Sequence, residues 1–123
     1  LTGQPKDQTL ARHIVSKSKA RPANFIGKTN ILQLAALIHR CRVYITPDSA
    51  PLHVAAAMKV PIVAFFGPTD HRRHMPPIEK GIVLHQDLKC APCYSGVCKI
   101  KTHLCMKQIS PEHVAHKVME LMQ

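Results

Sequence analysis

Two loops and one cysteine cluster hold the residue types that could do chemistry. The first loop is Thr46-Pro47-Asp48-Ser49-Ala50-Pro51, set between an apolar run and a helical pattern. A helix starting at Pro51 would turn the Ser49 and Ala50 amides toward its N-terminus. Unpaired N–H groups and the helix dipole favour a phosphate there. Asp48 and Ser49 also suit simple helix capping. His53 would follow one turn later, facing the same spot or serving as an ordinary helix histidine. The second loop is Gly67-Pro68-Thr69-Asp70, where Thr69 and Asp70 could contact a ligand or only shape a turn. The cysteines Cys90, Cys93, Cys98 and Cys105 are spaced C-x2-C-x4-C-x6-C. Four thiolates can hold zinc tetrahedrally, and C-x2-C is a frequent half-site. The gaps are shorter than in most paired half-sites, so reduced, oxidation-prone thiols fit the same pattern. A cytosolic compartment disfavours a native disulfide. His71, His74, His85 and His103 could supply alternative ligands. Cys41, at a helix end, reads as a small buried residue.

The elements that must position these residues alternate between strand and helix. Asp7 suits a helix N-cap, followed by an apolar face of Leu10, Ala11, Ile14 and Val15. Phe25-Ile26 suggests a short strand. Asn30 with Gln33 forms a capping-box pair that opens a second helix through Leu34, Leu37 and Ile38. Residues 42–45 suggest a strand. Pro51 suits a first helical position, with the helix continuing over 52–58. Strands are expected at 61–66 and 81–84. Ser110-Pro111-Glu112 opens a last helix, with Val114, Val118, Leu121 and Met122 on one face. The strands are apolar throughout instead of alternating, as in a parallel sheet covered on both faces. The expected class is therefore α/β, a Rossmann-like parallel sheet with helices on both faces. In such sheets ligands bind beyond the carboxyl ends of the strands, where both loops would lie.

A longer pattern runs through the same residues. Asp48-Ser49-Ala50-Pro51-Leu52-His53-Val54-Ala55-Ala56-Ala57 is followed by Val60-Pro61-Ile62-Val63-Ala64-Phe65-Phe66-Gly67-Pro68-Thr69-Asp70. Together they resemble glycosyltransferase family 9, the lipopolysaccharide heptosyltransferases. Gly27-Lys28-Thr29 with Leu34-Ala35-Ala36-Leu37-Ile38 resembles the same family. So do Cys90-Ala91-Pro92-Cys93 with Cys98, Cys105-Met106, and Ile109-Ser110-Pro111-Glu112. The resemblance implies the carboxyl-terminal half of a GT-B fold, a donor-binding domain over residues 1–123, truncated at its amino-terminal end. It implies transfer of heptose from ADP-heptose to the inner core of lipopolysaccharide, with inversion and no obligatory metal. Asp48 would contact the sugar and the Ser49 and Ala50 amides the diphosphate, with His53 facing the same site. Thr29 would sit by the adenine through its backbone, and Asp7 near the ribose. The family usually has Gly where this chain has Ala50, which bears on how closely backbone can approach the ligand. The family's catalytic acidic residue lies in the amino-terminal domain. No catalytic residue is therefore expected here, and the chain alone should be inactive.

Composition narrows the alternatives. With 123 residues and 46% apolar content, the chain can build one core and is not disordered. No apolar run nears the roughly 18 residues that span a bilayer. The opening Leu1-Thr2-Gly3-Gln4 has no initiator Met and no basic leader, so it reads as the cut end of a longer protein, which the family resemblance places in the cytoplasm. The net charge of +10 suits nucleic acid, phosphorylated ligands or an anionic membrane surface, although solvated Lys faces cover much of the excess; with the family resemblance it implies a peripheral place at the inner membrane. Nucleic acid is disfavoured: there is no Trp, and the few aromatics are not interleaved with basic residues. Expected partners are a nucleotide sugar such as ADP-heptose, a lipopolysaccharide core acceptor and the missing amino-terminal domain. The rival readings are a transferase of the same fold with another sugar nucleotide, and a basic, zinc-stapled binding module.

Overall fold

The structure, a computed structural model, describes residues 1–123. The chain divides into two compact units, Leu1–Leu37 and Ile38–Gln123.

In the first unit a 3-10 turn, Pro5–Asp7, leads into α1, Gln8–Lys17. Asp7 occupies the N-cap position of α1, but its carboxylate does not cap that helix. It accepts instead from the Gln4 amide at 2.9 Å, closing the turn before it. Of the expected apolar face, Ala11 is buried while Leu10 remains 61% exposed. Phe25-Ile26 is not a strand. Phe25 N–H donates to Leu1 O (2.9 Å) and Gly27 N–H to Gly3 O (3.0 Å), two ladder-like bonds that Gly27 cuts short. Gly27 adopts a left-handed φ of 68° close against Pro5, a geometry that disfavours any side chain. The capping box before α2, Ile31–His39, forms in both directions. Gln33 N–H donates to Asn30 Oδ1 at 2.9 Å, and Asn30 N–H to Gln33 Oε1 at 3.0 Å.

The second unit is built on a three-stranded parallel sheet ordered β1 (Tyr44–Pro47), β2 (Ile62–Phe65), β3 (Gly81–Leu84). Tyr44 pairs with Ile62 and Pro47 with Phe65; Ile62 pairs with Gly81 and Phe65 with Leu84. β1 lies two residues later than the sequence suggests and takes in Pro47. A proline at the end of an edge strand removes no needed N–H. β2 is sealed on both faces, with Ile62, Val63 and Ala64 all fully buried. Val63 joins Leu84 and Leu121 in a core flanked by Phe65, Ile82, Val114 and Val118, so one face rests on α6, Pro111–Met122. The opposite face takes α3, Ala50–Ala57, the crossover between β1 and β2, through buried Leu52 and Ala55. The Rossmann-like arrangement expected from sequence is therefore present.

Ser110 caps α6 as expected, accepting from His113 N–H at 3.1 Å. Two short helices, α4 (His71–His74) and α5 (Leu104–Lys107), lie outside the elements expected from sequence. Cys41 is exposed, not buried. No helix is long and apolar enough to cross a membrane.

Candidate functional site

The register of β1 on β2 sets two loops side by side at the carboxyl edge of the sheet. Within β1, Thr46 is the one buried polar residue of the unit's core. Its hydroxyl donates to Pro47 O at 3.0 Å and lies 3.2 Å from Ser49 Oγ. Ser49 Oγ also turns back, donating to Pro47 O at 3.2 Å. Ser49 is the N-cap residue of α3 with extended backbone, yet its side chain makes no cap bond. The start of α3 is therefore left without a side-chain acceptor. Ala50 and His53 are both exposed, one turn apart on the same side of α3, while Leu52 and Ala55 face the core.

Past β2 the chemistry is resolved differently. Asp70 Oδ1 accepts from Arg72 N–H at 3.0 Å and from Arg72 Nε at 3.0 Å, and Oδ2 accepts from the other arm of the guanidinium at 3.0 Å. The Arg72 hydrogen bond holds the Asp70 carboxyl down at about 2. Asp70 thus caps α4 and neutralises its own neighbour. His71 packs edge-on to Phe66 and stacks on His85, which follows β3, with ring centroids 4.0 Å apart. Burial, then the charge of His85, pushes the His71 imidazole below its ordinary value. Thr69 Oγ1 is buried with no hydrogen-bond partner. It lines a cavity of about 330 Å³ together with Asp70, His71, His85 and Asp87.

His74 joins the two loops. Its Nδ1 lies 3.9 Å from Asp48 Oδ2, and its ring is 5.9 Å from that of Tyr94. From the sequence, His74 stands out only as an alternative metal ligand. Its neighbour Asp48 is distant in sequence and comes near only through the Pro47–Phe65 pairing.

Of the residues singled out from sequence, Asp48, Ser49, Ala50 and His53 share the junction of β1 and α3. Asp7 and the half-buried Thr29 belong to the first unit. Cys90, Cys93, Cys98 and Cys105 all line a second, largely apolar cavity of about 370 Å³. No disulfide links any of them, and no three His, Cys, Asp or Glu side chains are grouped to hold a metal.

The fold and the junction of β1 with α3 can be compared with known proteins. The family model for glycosyltransferase family 9 (heptosyltransferase) matches residues 1–104. The chain belongs to this family. Lipooligosaccharide heptosyltransferase 2 of Campylobacter jejuni is 37% identical over 111 residues, which cover 89% of this chain and 35% of that protein. Lipopolysaccharide heptosyltransferase 3 of Escherichia coli K12 is 51% identical over 45 residues, covering 37% of this chain and 13% of that protein. Among solved structures, a family 9 glycosyltransferase from Veillonella parvula superposes with a TM-score of 0.82 at 31% identity, over 98% of this chain and 35% of that one. E. coli ADP-heptose lps heptosyltransferase II gives 0.79 at 27% identity, over 99% of this chain and 35% of that one. The chain thus spans about a third of the length of the Campylobacter relative and of both solved structures.

Proposed function

We propose that this chain is the donor-binding part of a heptosyltransferase that moves heptose from ADP-heptose onto the inner core of lipopolysaccharide. The observation that carries the reading is the open start of α3 beside Asp48, in a chain of family 9. The relative from E. coli is by its name an ADP-heptose enzyme acting on lipopolysaccharide, and the Campylobacter relative a lipooligosaccharide heptosyltransferase.

The chemistry follows from the geometry. As the glycosidic bond breaks, the nucleoside diphosphate leaves with added negative charge. At the start of α3, Pro51 carries no N–H and Leu52 N–H donates to Ser49 O at 2.9 Å, so the Ser49 and Ala50 amides, not engaged by the Ser49 hydroxyl, are the donors that offset that charge without reorganising. Ala50 and His53 border the same approach. Asp48 orients the sugar by accepting from its hydroxyls. Thr29 and Asp7 are assigned to the adenosine end by family correspondence. The residue that removes the acceptor's proton is assigned to the partner half of the enzyme. The net charge of +10 suits a polyphosphate donor and an anionic membrane face, so we place the enzyme in the cytoplasm, peripheral at the inner membrane.

Calorimetry on the intact enzyme, titrated with ADP-heptose, ADP, UDP and GDP, tests the reading. Binding of the two adenosine ligands, weakened by Asp48→Ala for ADP-heptose more than for ADP, is the expected result. Preference for another nucleotide would redirect the reading to another sugar-nucleotide transferase.

A further inference from the structure

The second cavity calls for its own explanation. Between β3, ending at Leu84, and α5, beginning at Leu104, the chain has no regular element. A structureless stretch of that length within a compact unit is unusual without a function or a crosslink. Burial does not hold it in place: Val97 is 78% exposed, Ile100 53% and Tyr94 51%. Backbone bonds are sparse, the anchor to the sheet being Tyr94 N–H to Pro68 O at 2.8 Å. Three residues with side chains, Tyr94, Lys101 and His103, nonetheless hold left-handed φ values of 51°, 56° and 55°. Such conformations persist where the surroundings over-determine them.

What this stretch does bring together is sulfur. Cys90, Cys93, Cys98 and Cys105 face one cavity that contains no carboxylate. Gly67 permits the close seating of α5: a methyl there would run into Met106 Sδ and come within 3.3 Å of Cys105 Sγ. The left-handed turns at Lys101 and His103 fold the backbone back over Cys98, and His103 N–H donates to Cys98 Sγ at 3.5 Å. Amides aimed at a sulfur are the outer-shell support that a metal-bound thiolate requires.

We propose that Cys90, Cys93, Cys98 and Cys105 are the four ligands of a structural zinc ion that staples this segment to the carboxyl edge of the sheet. An all-thiol set with no open position suits zinc in a closed tetrahedral site. In the present conformation the thiols line the cavity without converging on one point. Binding takes movement of the side chains and of the irregular segment that carries them, to Zn–S distances of about 2.3 Å, with each thiol proton released to solvent. The staple fixes Tyr94, and through it the His74 ring that faces Asp48. The proposal stands independently of the donor assignment.

The test uses the full-length enzyme, purified with reductant and without added metal or chelator. Elemental analysis is expected to find stoichiometric zinc, and titration with an organomercurial to release it in step with the four thiols. Cobalt exchange is expected to give a thiolate-to-cobalt charge-transfer band. Cys98→Ser should lose the metal, whereas Cys41→Ser, outside the cavity, should keep it. If the serine variant does not fold, the mercurial and cobalt experiments on the unmodified protein still decide. Absence of zinc with all four thiols reacting freely in the native protein would overturn the proposal. So would disulfides among them under reducing conditions.

Discussion

The loops that follow β1 and β2 are neighbours with the same plan: strand, short loop with an aspartate, helix. They put that aspartate to different use. Asp70 spends its carboxylate on Arg72 and on the start of α4, and its hydrogen bonding is met within three residues. Asp48 makes no such local closure. Its neighbour across the loops is the His74 imidazole at 3.9 Å, and the Ser49 hydroxyl beside it turns away from α3. A carboxylate satisfied within its own loop serves as a structural joint, even though the same loop leaves the Thr69 hydroxyl buried and unpartnered. A loop that leaves a helix start open, beside a half-buried carboxylate, is suited to a ligand.

This contrast can be broken by substitution. Asp48→Ala in the intact enzyme is expected to lower turnover roughly 100-fold, the scale of losing a substrate-orienting contact, with melting temperature unchanged. Gly67→Ala, at the root of the second loop, should act the other way. The added methyl meets Met106, and overpacking of this kind costs about 1–3 kcal/mol of stability. Thermal denaturation would register that loss. Asp70→Ala should lower the melting temperature by a few degrees through loss of the α4 cap and leave donor affinity unchanged. A drop in affinity as large as that of Asp48→Ala would erase the distinction between the loops.

The smallest effect concerns pH. The folded state holds His71 below the ordinary histidine value, so it binds fewer protons than the unfolded chain near that value. The contribution of His71 to stability is therefore present above about pH 6.5 and declines as pH falls through that range. His71→Gln should flatten the decline in a melting-temperature profile. Asp70, depressed to about 2, contributes above about pH 4 and loses its contribution only as pH falls toward 2.

Much of the sheet was legible in the sequence because its signals are local. The uninterrupted apolar run at 61–66 marked a strand buried on both faces. The strand at 81–84 was found at its observed bounds, and Asn30 with Gln33 announced a helix start that forms as expected. The strand placed at 42–45 was shifted because Pro47 reads as a breaker, whereas an edge position tolerates it. The Phe25-Ile26 strand failed because alternation cannot count the ladder bonds that a partner will supply. At the candidate site, Asp48, Ser49, Ala50 and His53 were legible as one strand–loop–helix junction. The approach of His74 to Asp48 and the stacking of His71 on His85 were not. They depend on strand register, which joins residues far apart in sequence. The cysteine spacing showed a cluster, but not that a largely exposed, left-handed segment would carry it.

The most direct measurement is the pair of donor dissociation constants, Asp48→Ala beside Asp70→Ala, taken on the intact enzyme with ADP-heptose and read with both melting temperatures. The expected result is a stable Asp48 variant with strongly weakened donor binding, and a destabilised Asp70 variant that binds as the parent does. A fully binding but destabilised Asp48 variant would make Asp48 a simple cap and remove the junction of β1 and α3 from the site.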